Sequence, residues 1–144
     1  MIKKVGVIGI FLIGFLLPTT IAHANESVPP TNDITVNIQA LNNIKNTTNN
    51  VSVSGSTLYS RSSLNSTKTV DKIGLRIYLQ QKQTSWVNTS QSREYINQNT
   101  SSINKTTSFQ LQRGAFYRVK IVHFIENNGI YESDITYSST IDFR

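Results

Sequence analysis

An all-β fold, an antiparallel two-sheet sandwich of about seven strands, is what this sequence predicts, and three observations predict it. Short segments alternate apolar and polar residues at period two, as half-buried strands do. Polar connectors separate these segments, and Asn, Ser and Thr supply 46 of the 120 residues beyond residue 24. Such side chains compete for backbone hydrogen bonds in helices, whereas Thr suits strands and Asn and Ser suit turns.

The first 24 residues have a different character. Lys3 and Lys4 precede an apolar run over 5–17, and Ala22-His23-Ala24 forms a small-x-small cleavage site. This is the pattern of a cleavable signal peptide, and the run is too short for a stable bilayer-spanning helix. The expectation is a secreted protein, extracellular or loosely associated with the cell wall, with no transmembrane segment in the mature chain. Residues 25–33, with Pro29-Pro30, read as a flexible lead-in, and residues 34–144 as one β domain.

Within the domain, Ile34, Val36 and Ile38 predict a first strand, and 42–50 an Asn- and Thr-rich connector. Val51, Val53 and Leu58 predict a second strand, with Gly55 marking a bulge, and 61–69 a further connector. Ile73, Leu75, Ile77 and Leu79 give the cleanest alternation. Trp86 and Val87 open a strand that runs toward Tyr95, 97–104 reads as a turn, and Thr107, Phe109 and Leu111 alternate again. After Arg113-Gly114 come a long strand over 115–126 and a last one over 130–143.

The two final strands constrain each other, because register must set both apolar sets on one face. Tyr117, Val119, Ile121, His123 and Ile125 form the apolar set of the first of these strands, and Tyr131, Ile135, Tyr137, Ile141 and Phe143 that of the last. A three-residue loop, Asn127-Asn128-Gly129 with Gly129 left-handed, brings these sets together by pairing Ile125 with Tyr131. That register also sets His123 opposite Ser133.

Leu111-x-x-Gly114-x-x-Tyr117-x-Val119 resembles the tyrosine corner of immunoglobulin-like and fibronectin type III-like domains. The resemblance implies an immunoglobulin-like sandwich in which Tyr117 bonds back across the turn at Gly114. Lys72-Ile73-Gly74, Tyr78-Leu79-Gln80, Trp86, Gly114-x-x-Tyr117-Arg118-Val119 and Asn128-Gly129-x-x-Glu132-Ser133 occur in an order that resembles a family of small secreted proteins of uncharacterised function from Gram-positive, Bacillus-type bacteria. Gln81-Lys82-Gln83 departs from that pattern in lacking a glycine before Trp86. The family implies no activity, cofactor or catalytic residue.

Composition limits the chemistry. With no cysteine there is no thiol nucleophile, thiolate metal site or cysteine-linked lipid anchor. Loss of the leader removes His23, Lys3 and Lys4, leaving His123 alone beside 12 basic and 8 acidic side chains. One histidine does not anchor a zinc site, and Asp71, Glu132, Asp134 and Asp142 form no calcium-loop motif. A Ser/His/Asp triad would require His123, but its place on an apolar face reads as structural. No paired carboxylates of a glycosidase are recognisable, and no dense basic stripe of a nucleic-acid binder. The sequence therefore predicts no enzyme, cofactor or metal.

The outward parity is more suggestive. Arg76 and Tyr78 on the middle strand, and Arg118 and Lys120 on the late strand, form a basic aromatic patch if those strands are neighbours. Such a patch suits an anionic cell-wall polymer or a glycan. The plain alternative is a solvated face with Asp134 diagonally near Lys120. Phe116, Val122 and Phe124 share the parity and add apolar surface. Trp86, Gly114, Tyr117, His123 and Gly129 are read as structural. The expected function is a secreted, non-enzymatic binding or envelope-associated module. The alternatives are a membrane-active or antimicrobial protein, which the positive charge and Ser/Thr-rich strands would suit, and a hydrolase.

Overall fold

A computed structural model of the protein describes residues 41–144. The expected signal peptide, the expected lead-in and the strand expected at Ile34, Val36 and Ile38 lie outside the described residues. The described chain is all-β, a single antiparallel sheet curled into a half-barrel. Its strands are β1 (Ile44–Ser54), β2 (Thr57–Lys82), β3 (Trp86–Gln110), β4 (Ala115–Asn127), β5 (Ile130–Tyr137) and β6 (Ile141–Phe143).

The architecture rests on β2, which is 26 residues long. Along one edge it pairs with β3. Its other edge takes β1 at the amino-terminal half, through Leu58↔Val53 and Leu64↔Thr47, and β4 at the carboxy-terminal half, through Ile73↔Ile125 and Leu79↔Val119. The β2–β3 ladder is interrupted between Asn65 and Val70. Extra residues in one strand bend it and switch the parity of the residues beyond the interruption. Leu58 and Leu64 thus face the core at even positions, and Ile73, Leu75, Ile77 and Leu79 at odd ones, all fully buried. From β4, Val119, Ile121 and Ile125 join them, with Ile103 and Phe109 from β3.

Polar residues are incorporated where connectors were expected. Residues 44–50 belong to β1, 61–69 to β2 and 97–104 to β3. Ser60 and Ser62 on β2 are fully buried, their hydroxyls 3.1 Å apart. Central strands leave no backbone group unpaired, so small hydroxyl side chains fit where their own hydrogen bond is met. Gly55 marks no bulge. With φ +59 it sits in the two-residue link between Ser54 and Thr57, and the chain over 51–58 is a hairpin, not one strand.

The register expected for the last strands is corrected. Asn128 and Gly129 have φ of 52 and 75, so both central residues of a two-residue hairpin turn are left-handed, and Ile125 pairs with Glu132. Local turn chemistry outweighs the apolar pattern here. Tyr131, Ile135 and Tyr137 consequently project from the outer face, and His123 stands opposite Asp134, not Ser133. The run over 130–143 is also broken. Ser138 exchanges bonds with Val119, its N–H donating to the carbonyl and its Oγ accepting from the amide, both at 2.9 Å. Beyond it the register slips by one residue, so Ile141 and Phe143 of β6 turn inward toward the core.

Candidate binding surface

The outer face of the carboxy-terminal half is built by four adjacent strands, β3, β2, β4 and β5. Cross-strand pairing orders its side chains in rows. One row is Ile96, Gly74, Phe124 and Ser133; the next is Glu94, Arg76, Val122 and Ile135; a third is Ser92, Tyr78, Lys120 and Tyr137. Gln80 beside Arg118 continues the order, with Asn88 flanking Gln80. Arg76, Tyr78, Arg118 and Lys120 therefore share one face, Tyr78 directly paired with Lys120.

Arg118 is held by one hydrogen bond and two rings. Its Nε donates to Gln80 Oε1 at 2.8 Å, and Gln80 Nε2 donates to Asn88 Oδ1 at 2.8 Å. The guanidinium lies 4.1 Å from the centre of the Tyr137 ring and 4.5 Å from that of Trp86. Lys82 Nζ approaches the same Trp86 ring at 5.7 Å, and Lys120 Nζ lies 6.0 Å from Tyr78. Each ring offers its negative π-face to a cation while leaving the cation's other donors available.

Charge is distributed unevenly over the face. Lys72 pairs with Glu126 at 3.0 Å, and Arg76 with Glu94 at 2.6 Å. The bond that Arg76 Nε donates to Glu94 holds the guanidinium above its ordinary pKa. Arg76 also lies 4.5 Å over Phe124, whose ring stacks on Tyr131 at 5.8 Å. Among the described residues, no carboxylate comes within salt-bridge range of Lys82, Arg118 or Lys120. Asp134, expected near Lys120, lies on the inner face and accepts from Thr47 Oγ1 at 3.4 Å. The two-residue turn is the reason, because it reverses the parity of all of β5.

His123 is fully buried, and its Nε2 lies 2.9 Å from Thr136 Oγ1. Burial pushes its pKa down to about 4, although the Asp134 charge and the Ser63 carbonyl pull the other way. An imidazole sealed on the inner face has no access to a substrate in solvent. Among the described residues, no three His, Cys, Asp or Glu side chains gather as a metal site, and no helix is long and apolar enough to cross a membrane.

Gly114, at φ +92, turns the chain between β3 and β4. Across that turn the Tyr117 hydroxyl donates to the Gln112 carbonyl at 3.0 Å and accepts from the Gln112 N–H at 3.2 Å. Trp86, read from sequence as structural, stands on the outer face beside Arg118. It and Tyr137 are surface members that sequence reasoning missed, as is the buried Gln80 that holds Arg118. The Asn128-Gly129 turn was the available signal for Tyr137, because a two-residue turn sets Tyr137 opposite Lys120.

Two shallow depressions flank the sheet. One, of about 240 Å³, is lined by Arg76, Tyr78, Ser92, Arg93 and Glu94 on this face. The other, of about 250 Å³, lies at Asn50, Ser52, Tyr59, Arg61 and Thr106 on the amino-terminal half. Both are open, and neither has the enclosed apolar lining of a small-molecule site. The described residues thus define a cysteine-free antiparallel β half-barrel with an aromatic and cationic outer face. Comparison with protein-family models, curated proteins and solved structures gives no significant match.

Proposed function

We propose that this protein is a secreted, non-enzymatic binding module that contacts an anionic cell-wall polymer or glycan through the outer face of β2, β4 and β5. The carrying observation is the side-by-side pairing of β2 with β4, which gathers Arg76, Tyr78, Arg118 and Lys120 on one open surface. Extended polymers favour broad, shallow surfaces in which rings contact sugar or polyol faces and cations neutralise charge. The leader sequence supports export, and the Tyr117–Gln112 bonds support a likeness to the tyrosine corner of immunoglobulin-like domains.

Co-sedimentation with purified wall material tests the reading. The protein binds in a salt-dependent manner, and Arg76→Ala combined with Arg118→Ala weakens binding at least tenfold while thermal unfolding stays cooperative. Unchanged binding by the double variant overturns it. Dye release from anionic vesicles without wall binding favours the membrane-active alternative. Fractionation of culture into medium, wall and membrane tests the location.

A further inference from the structure

Within the proposed surface, and resting on that reading, we infer that Arg118 and Lys120 form a subsite for the phosphate of a phosphodiester-linked polymer, with Trp86 and Tyr137 as its walls. The face divides electrostatically. At one end Lys72 and Arg76 are neutralised by Glu126 and Glu94; at the other, Lys82, Arg118 and Lys120 have no carboxylate partner among the described residues. Three uncompensated cations at one end of a sheet give a local positive potential that an anion relieves.

Arg118 is also pre-organised. Its Nε is occupied by Gln80, itself fixed by Asn88, and two aromatic rings hold the guanidinium plane. Among the described residues its two Nη groups make no hydrogen bond, so one fork of donors is left free. A planar fork of this kind matches an oxyanion through two parallel bonds, and fixing it beforehand reduces the entropy lost on binding. Lys120 lies two positions further along the same strand, roughly 7 Å away by strand rise.

That pair distinguishes phosphate from carboxylate. A carboxylate seated on the arginine fork is planar and keeps its remaining lone pairs in the plane of that fork, where few further donors reach them. A phosphodiester also has two charged oxygens, but they sit on a tetrahedral centre and accept from directions outside the fork plane, so the fork and the ammonium engage the same group or successive groups of a chain. Single-stranded nucleic acid is less well served. Its affinity without sequence preference rests on bases stacking on open rings, whereas Arg118 already lies over both Trp86 and Tyr137. The occupant that fits is a phosphodiester-linked polymer without stacking bases.

Titration of the protein followed by NMR tests this, with linear polyphosphate as the phosphate probe, polyglutamate of matched charge as the carboxylate probe, a chitin oligomer as the neutral glycan, and phosphatidylglycerol vesicles and oligo-dT as the other anionic surfaces. Polyphosphate binds saturably, at least tenfold tighter than polyglutamate or oligo-dT, with shifts centred on the Trp86 indole and the Arg118 and Lys120 amides. Arg118→Lys, which retains charge but not the fork, loses about tenfold, and Lys120→Gln a few-fold. Lys72→Ala, at the neutralised end, stays near the parent. Equal affinity for polyphosphate and polyglutamate, or shifts confined to the Arg76 end, overturns the phosphate subsite. Chitin binding that requires Tyr78 also overturns it but leaves the binding-module reading standing. Failure to bind either polyanions or chitin removes both readings. Preferential vesicle or oligo-dT binding transfers the site to those partners and overturns the polymer assignment. The shifts in the parent protein decide the matter even if one variant misfolds.

Discussion

The Phe124 ring lies directly over Gly74, its cross-strand neighbour, and occupies the volume a side chain at position 74 would need. A Cβ added there would overlap the ring carbons, so the pair is mutually specified. Aromatic cover of a glycine on a neighbouring strand restores the packing the glycine lacks. The same ring supports the face above it, since Arg76 and Tyr131 both contact it.

Gly74→Ala is therefore expected to displace Phe124 and to cost about 1–3 kcal/mol, the range for forcing extra volume into a packed site. Phe124→Ala is destabilising alone, but the double variant loses less than the two single changes together. Urea denaturation of the four proteins gives the coupling. Strict additivity would show that the ring and the glycine do not depend on each other.

How much of this was legible from sequence depends on which force set each element. The alternation at Ile73, Leu75, Ile77 and Leu79 is readable because burial alone places those residues, and all four are fully buried. The amino-terminal half of β2 is not, because Ser60 and Ser62 are buried by neighbouring strands that no local pattern reveals. For β5, two readable signals conflicted. The apolar parity favoured a three-residue loop, and the left-handed pair Asn128-Gly129 fixed a two-residue one. The outward set Arg76, Tyr78, Arg118 and Lys120 follows from parity plus neighbouring strands. Trp86 and Tyr137 required the actual register, and the open state of Lys82, Arg118 and Lys120 required knowing that β5 turns Asp134 inward.

The turn itself makes a prediction. At φ +75, Gly129 adopts a conformation that an L side chain takes only at a cost of about 1–2 kcal/mol. Gly129→Ala should lower stability by about that amount and Gly129→Val by more, because a branched Cβ crowds the left-handed backbone further. Denaturant midpoints check this. Equal stability of the valine variant would mean that the hairpin does not need the two-residue geometry.

Acid should weaken the fold through His123. Its pKa is about 4 in the folded protein, against an ordinary 6.5, mainly because burial disfavours the charged ring. Between those values the unfolded chain binds more protons than the folded one, so stability is complete above about pH 6.5 and is lost as pH falls toward 4. The loss from this residue is at most about 3 kcal/mol at the limit. Denaturation at successive pH values should show that decline, and His123→Gln should flatten it. A His123 imidazole that titrates near 6.5 by NMR would contradict the burial.

Glu132 links the two ends of the curled sheet. It is 8% exposed, and its carboxylate accepts from the Asn43 N–H at 2.9 Å and from Asn43 Nδ2, across 89 residues of sequence. Beside it, Thr47 reaches Asp134, and Asn49 Nδ2 donates to the Val119 carbonyl at 3.2 Å. β1 is thus joined to β4 and β5 by side-chain hydrogen bonds, with no backbone ladder between them among the described residues. Hydrogen bonds to a charged group are each worth about 1.5–3 kcal/mol, and removing the acceptor leaves donors unmet in a part-buried site. Glu132→Ala should cost about that much or more. Asn43→Ala should cost less, because its backbone donor survives. Hydrogen exchange localises the effect: in the Glu132→Ala variant the Asn43 amide and the start of β1 should lose protection while the amides of Leu75 and Ile121, central to β2 and β4, keep theirs. Uniform loss of protection would show that the seam opens only with the whole fold, and no loss at Asn43 would show that the carboxylate does not hold it.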